Sequence, residues 1–246
     1  MKIANGIETI ELVMSMMGQQ SVIHPTLIWN ENEVILVDTG IPGQLGEIRE
    51  AVEKAGVSFD KLSKIILTHQ DIDHIGSLSA ILKDSGHKIE VLAHEEDKPY
   101  IEGDKPLIKM NPERVAKMVE SLPEEQRQKL KALFETPLAA IVDQTINDGE
   151  VLPYGEGITV IFTPGHTPGH ISLYHQQSKT LIAGDALVGE NGILMGPRPH
   201  VTPDMEKALQ SIKKLTEYDI ETVICYHGGV IKENVKEQLL KLANSN

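Results

Sequence analysis

Apolar and polar positions along this chain change between two periods. Short runs rich in branched aliphatic residues, most of them bounded by Gly, Pro, Asn or Asp, read as strands at 10–14, 26–29, 34–37, 64–67, 89–93, 159–162, 171–174, 180–183 and 222–225. Apolar residues recurring at three and four predict helices over 44–55, 74–83, 112–121, 123–142, 203–215 and 232–243. The early strands are joined by short connections suited to hairpins and the later ones alternate with helices, which predicts mixed rather than purely parallel sheets. Residues 95–146 carry little strand pattern. There, Val115, Met118, Val119 and Leu122, then Leu130, Leu133, Phe134, Leu138 and Ile141, place apolar side chains on one face of two successive helices. Ser121 and Glu124 have capping-box spacing around Pro123. This helical excursion either covers the sheet or forms a lid over a pocket. No repeat of fixed period and no low-complexity linker interrupts the pattern, so one domain over 1–246 is expected.

Composition narrows the function. The 246 residues hold 23 Lys plus Arg against 36 Asp plus Glu, a net charge of −13 with neutral histidines. Such a surface repels phosphate backbones and anionic membranes, so the expected partner is a small-molecule substrate, with neither nucleic acid nor membrane. Cys225 is the only cysteine, which excludes an intrachain disulfide, a four-thiolate zinc site and a CxxC redox pair. Glu8 and Glu11 interrupt the N-terminal apolar stretch, unlike a signal peptide or membrane span. A cytoplasmic location is the expectation.

Strand after strand then ends in a side chain able to bind metal. The run 64–67 leads into His69, Asp71, Asp73 and His74; 159–162 leads into Thr163-Pro164-Gly165-His166; 180–183 into Gly184-Asp185; and 222–225 into Tyr226-His227-Gly228-Gly229. Imidazole nitrogen and carboxylate oxygen suit zinc, iron or manganese where thiolates are absent. Asp71 and Asp73 also suit capping of the helix that follows. Capping explains none of His166, Asp185 and His227. Asp38, in Asp38-Thr39-Gly40, fits either a turn or a partner that orients a ligating histidine. His170 fits packing or hydrogen bonding better than ligation. His24, His87, His94, His175 and His200 have no comparable setting, and Arg198 with His200 fits a Pro-rich surface turn or the rim of a pocket.

Taken together, these segments resemble the metallo-beta-lactamase-fold superfamily: Val37-Asp38-Thr39-Gly40 its early strand-end motif, Thr163 to His170 its Pro-Gly-His segment, Gly184-Asp185 its bridging aspartate and His227 its final histidine. The resemblance implies an α/β fold, a four-layer αββα sandwich of two mixed sheets flanked by helices, with two divalent ions at one edge. It assigns His69 and His166 to the first ion, Asp73, His74 and His227 to the second, and Asp185 to both. One departure stands out. The family pattern His-x-His-x-Asp-His reads His-x-Asp-x-Asp-His here, so Asp71 replaces a histidine. Zinc is the expected metal; the harder carboxylate of Asp71, whether it coordinates directly or through water, brings iron or manganese into play. Flavodiiron proteins also place an acidic residue there.

The resemblance implies a metal-dependent hydrolase of a small ester, thioester, lactone or phosphodiester. Paired ions lower the pKa of a shared water from about 15.7 toward 7, making it the nucleophile, with Asp73 as the catalytic residue that orients it or carries a proton to the leaving group. The tyrosine that marks lactonases of the family shortly after the bridging aspartate is missing from Asp185-Ala186-Leu187-Val188. The alternatives are an iron-dependent oxidoreductase related to the flavodiiron metal domain, and a noncatalytic metal-binding protein. Homodimerisation is expected from the resemblance alone.

Overall fold

The computed structural model describes every residue except 17–18, 111–115, 117–118, 121–122, 125–126, 129–137 and 246. The chain opens with β1 (Lys2–Ala4) and β2 (Ile7–Thr9), then a separate antiparallel hairpin of β3 (Leu12–Met16) and β4 (Gln19–Ile23). β5 (Thr26–Trp29), β6 (Val34–Val37), β7 (Leu62–Ile66), β8 (Glu90–Ala93) and β9 (Gln144–Thr145) complete a seven-stranded sheet in the order β1-β2-β5-β6-β7-β8-β9. A second, six-stranded sheet begins with β10 (Val151–Leu152), β11 (Ile158–Phe162), β12 (Ile171–His175) and β13 (Thr180–Gly184). After the small hairpin of β14 (Val188–Glu190) and β15 (Ile193–Met195), it is finished by β16 (Thr222–Cys225) and β17 (Gly229–Ile231). Both sheets are mixed, with parallel pairs at β6-β7, β7-β8, β8-β9 and β13-β16.

Side-chain alternation explains the layers. Along β6, Val34 and Leu36 join a core with Ile48 and Val52 of the helix Leu45–Lys54 and with Leu78 and Ile81 of the helix Leu78–Asp84. Ile35 and Val37, on the opposite face, belong to a middle core with Val160, Leu173, Ile182 and Ile224 of the second sheet. Leu181, Val223 and Cys225 then face a third core with Ile212 and Leu215 of the helix Met205–Leu215 and Leu239 of the helix Val235–Ala243. Three cores between four layers make the fold an αββα sandwich. Strands buried on both faces read as continuous apolar runs, which is why β5, β6 and β16 match their predicted bounds.

Two helices differ from their sequence patterns. The helix expected over 74–83 is two, Ile72–Ile75 and Leu78–Asp84. Gly76 sits between them, where a Cβ would lie 2.4 Å from Pro42. Most of the helices expected over 112–121 and 123–142 lies outside the described residues. Residues 138–143 are described, and they are not helical. Their backbone donors go elsewhere: Ala140 to the Ile101 carbonyl at 3.1 Å, Val142 to Glu102 Oε1 at 2.9 Å and Asp143 to the Val91 carbonyl at 2.9 Å. Val142 is buried while Ile141 is 74% exposed, so the apolar helical face expected through Ile141 does not extend to this stretch.

Candidate metal centre

The loops that follow β7, β11, β13 and β16 meet at one edge of the paired sheets and bring all seven sequence-selected residues together. His69, Asp71, His166 and Asp185 form one group and Asp73, His74 and His227 a second, with the donor atoms of each group within 4.8 Å of one another. Asp185 reaches both: its Oδ2 lies 3.2 Å from His166 Nε2 and 3.6 Å from His227 Nε2, and its Oδ1 3.4 Å from His74 Nε2. Asp73 Oδ2 stands 3.2 Å from His227 Nε2. Asp71 occupies the N-cap position of the helix Ile72–Ile75, but its side chain makes no capping bond. Its Oδ2 instead faces His166 Nε2 at 2.9 Å and His69 Nε2 at 3.2 Å. Capping therefore does not account for this carboxylate.

The donor set fits a cation. Among the described residues, the buried atoms His69 Nε2, His74 Nε2 and Asp185 Oδ1 have no hydrogen-bond partner, although carboxylate oxygens stand nearby. Each such atom costs about 1–3 kcal/mol unless something satisfies it, and three of them distributed over these two His and Asp groups is the chemistry of a metal site. Electrostatics agree. Burial opposes ionisation of Asp185, yet His227, His166 and His74 outweigh it and hold its carboxyl well below the usual range. Burial likewise works against Asp71, and the neighbouring His69 imidazole, the His166 hydrogen bond and the Lys109 ammonium override it. Burial pulls the His74 imidazole down, but Asp38, Asp185 and Asp73 raise it well above its ordinary value. These residues are therefore placed to bind metal ions.

A shell of partners orients the donors. Asp38 follows β6 with a left-handed φ of 64°, a conformation rare outside glycine. It accepts hydrogen bonds from the Thr68 amide at 2.9 Å, the Thr68 hydroxyl at 2.8 Å and His74 Nδ1 at 2.8 Å. Asp38 is thus both a turn residue and the anchor that turns His74 Nε2 toward the donor cluster. Tyr226 stacks on the other side, its ring centroid 3.7 Å from that of His74. Its hydroxyl donates to the Asp73 carbonyl. His166 Nδ1 faces the Thr202 hydroxyl at 3.3 Å, which itself donates to the Arg198 carbonyl. The side chains of Arg198 and His200 are exposed, in a turn around Pro199–Val201. At the far side, Gly228 with φ +100° lets the chain after His227 pass close to β14; a Cβ there would lie 1.8 Å from the Gly189 carbonyl oxygen.

The Metallo-beta-lactamase superfamily family model matches residues 20–227. The chain belongs to this superfamily. It is 33% identical over 226 residues to a protein named probable metallo-hydrolase YflN from Bacillus subtilis, covering 85% of this chain and 81% of that one. It is 27% identical to hydroxyacylglutathione hydrolase GloC of Haemophilus influenzae, covering 83% and 84%. The crystal structure of the metallo-beta-lactamase family protein TTHA1429 from Thermus thermophilus superposes with a TM-score of 0.76 at 21% identity, over 99% of this chain and 80% of that one. That likeness is one of fold.

Two residues with no signal in the motif also belong to the superfamily site as this chain builds it. Asp97, fully buried, accepts from the Gln70 amide at 2.9 Å, Gln70 Nε2 at 3.1 Å, the Thr167 hydroxyl at 2.7 Å and the Gly169 amide at 2.8 Å. It clasps the loop carrying His69 and Asp71 to the loop carrying His166. Lys109, in the 3-10 turn Ile108–Met110, hydrogen-bonds Asp71 Oδ2. Its Nζ is 2.5 Å from His166 Nε2. Asp97 follows β8 by four residues among other acids, and Lys109 follows no strand; the tertiary fold brings both here.

Proposed function

We propose that this protein is a binuclear metal-dependent hydrolase of a small ester, thioester, lactone or phosphodiester. What carries the reading is the convergence of three unpaired, buried donor atoms inside two groups of His and Asp side chains. His69, Asp71 and His166 would hold one ion, Asp73, His74 and His227 the other, with Asp185 shared. Bound ions polarise a carbonyl or phosphoryl oxygen and make water nucleophilic near neutral pH. The rest falls to the chain. Asp38 and Tyr226 fix His74, Thr202 steadies His166, and Asp97 sets the spacing of two donor loops. Asp73, only partly buried, is the carboxylate positioned to orient a water and to pass a proton to the leaving group.

Each group supplies two imidazoles, which suit zinc, and the carboxylate of Asp71, where the family pattern has a histidine, admits iron or manganese in the first. Likeness to a protein named hydroxyacylglutathione hydrolase supports acyl transfer to water. The net charge of −13 supports a small molecule rather than nucleic acid as substrate. Among the described residues no helix is long and apolar enough to cross a membrane. The lone cysteine, Cys225, is buried and fits a reducing, cytoplasmic setting.

Elemental analysis of protein purified without added metal, paired with turnover on esters, thioesters, lactones and phosphodiesters, tests the reading. Two equivalents of transition metal and hydrolysis lost in Asp185→Asn with the fold intact are expected. Full activity in Asp185→Asn would remove Asp185 from its assigned role. The Asp71 carboxylate favours one rival, an iron-dependent oxidoreductase, and predominantly iron content with redox turnover and no hydrolysis would establish it instead.

A further inference from the structure

The hydrogen bonds of Lys109 bear on what the centre recognises. Its turn is tied to the donor loop, because the Ile108 amide donates to Gln70 Oε1 at 3.0 Å and Gln70 stands between His69 and Asp71. Its ammonium lies against Asp71 Oδ2 and His166 Nε2, two atoms of the first donor group. The side chain is 16% exposed, so it has a way out toward solvent. A divalent ion needs its nitrogen and oxygen ligands at about 2.0–2.2 Å, and an ammonium cannot share that position with it.

We propose that Lys109 and a divalent ion are mutually exclusive partners of Asp71 and His166, and that metal loading turns the displaced ammonium into the substrate's anion-binding group. The inference rests on the metallohydrolase reading above. Asp71 stands where the family pattern has a neutral imidazole, so the donor set carries one more negative charge and repels anions more strongly. Lys109 offsets that negative charge beside the same carboxylate. The substrate class that follows is an ester or thioester whose acyl or leaving portion bears a carboxylate or phosphate. A flexible four-carbon stem ending in a compact ammonium suits a group that must move between two partners.

The test compares metal-free wild type with Lys109→Met, which keeps length and removes charge, and with Lys109→Gln as a second uncharged variant. Zinc affinity is read by competition with a chromophoric chelator, and inorganic phosphate binding to the zinc-loaded proteins by calorimetry. Both variants should bind the first zinc about tenfold more tightly, having lost a competing cation, and phosphate about tenfold more weakly. Unchanged or weaker zinc binding would overturn mutual exclusion. Unchanged phosphate binding would overturn the anion-binding role. Failure of wild type and both variants alike to bind zinc would instead bring down the metal reading, and this inference with it.

Discussion

The imidazole of His170 accepts the amide hydrogen of Asp185 at its Nε2, 2.9 Å away, while its Nδ1 faces the Thr163 hydroxyl at 2.9 Å. Thr163 in turn meets Ser172, whose hydroxyl donates to the Ala183 carbonyl. This chain of hydrogen bonds fixes one neutral tautomer of His170 and sets the backbone of Asp185, whose carboxylate reaches both donor groups. His170 is thus a positioning residue for Asp185 and not a member of either donor group.

Burial, with His69 and His166 adding to it, pushes the His170 imidazole well below its ordinary 6.5. The unfolded chain therefore takes up a proton that the folded one refuses. The resulting contribution to stability is complete above pH 6.5 and is lost as pH falls below it toward the folded value. Urea unfolding at a series of pH values should show that His170→Gln, whose side-chain oxygen can accept the same amide, loses less stability than wild type on acidification. A slope identical to wild type would contradict a neutral, buried His170.

Asp38→Asn tests the anchor of His74. Asparagine tolerates the left-handed backbone, but its amide group turns a donor toward the donors of Thr68 and His74. The expected loss is about 1–3 kcal/mol of stability. Metal affinity should fall by about 10–100-fold. Chelator competition and urea unfolding on the same preparation check both, and unchanged affinity would reduce Asp38 to a turn residue.

Asp97→Asn replaces an acceptor of four hydrogen bonds with one that accepts only on one side. The loops bearing His69 with Asp71 and bearing His166 then lose their common clasp. On the binuclear reading proposed above, the ion assigned to His69, Asp71 and His166 should bind about tenfold more weakly while one assigned to Asp73, His74 and His227 keeps its affinity. Cobalt substitution makes the two ions separately visible by absorption spectroscopy; equal weakening of both would mean a general loss of structure instead.

Gly228→Ala places a Cβ against the Gly189 carbonyl and holds alanine at a φ it rarely adopts. A cost on the order of 3 kcal/mol follows from the strained backbone and the overlap. Thermal unfolding of the variant measures it, and a midpoint equal to wild type would show that β14 and the turn after His227 separate freely.

How much of this was written in the sequence depends on whether a residue acts through its own segment. The strand ends before His69, His166, Asp185 and His227 were legible because doubly buried strands are dense apolar runs that stop abruptly at Gly or a polar donor. β1, β2, β4, β9, β10, β14, β15 and β17 were not among the predicted strands, and most of them are only two or three residues long. Runs that short leave no countable period. The helical periodicity through Ile141 misled for a different reason: residues 138–143 spend their backbone donors on Ile101, Glu102 and Val91, and tertiary bonds override propensity. Asp97 lies in a polar stretch where acids are ordinary, and Lys109 is a single lysine between Ile108 and Met110, so nothing local distinguished them.

The seven donors are divided between the two halves of the sandwich, four following β7 of the first sheet and three following β11, β13 and β16 of the second. An ion bound among them acts as a rivet across the seam, and by linkage the grip on metal and the closure of that seam strengthen together. Chelation should then speed amide exchange in the layer where Ile35 and Ile66 share a core with Val160 and Leu173 before the outer helices loosen.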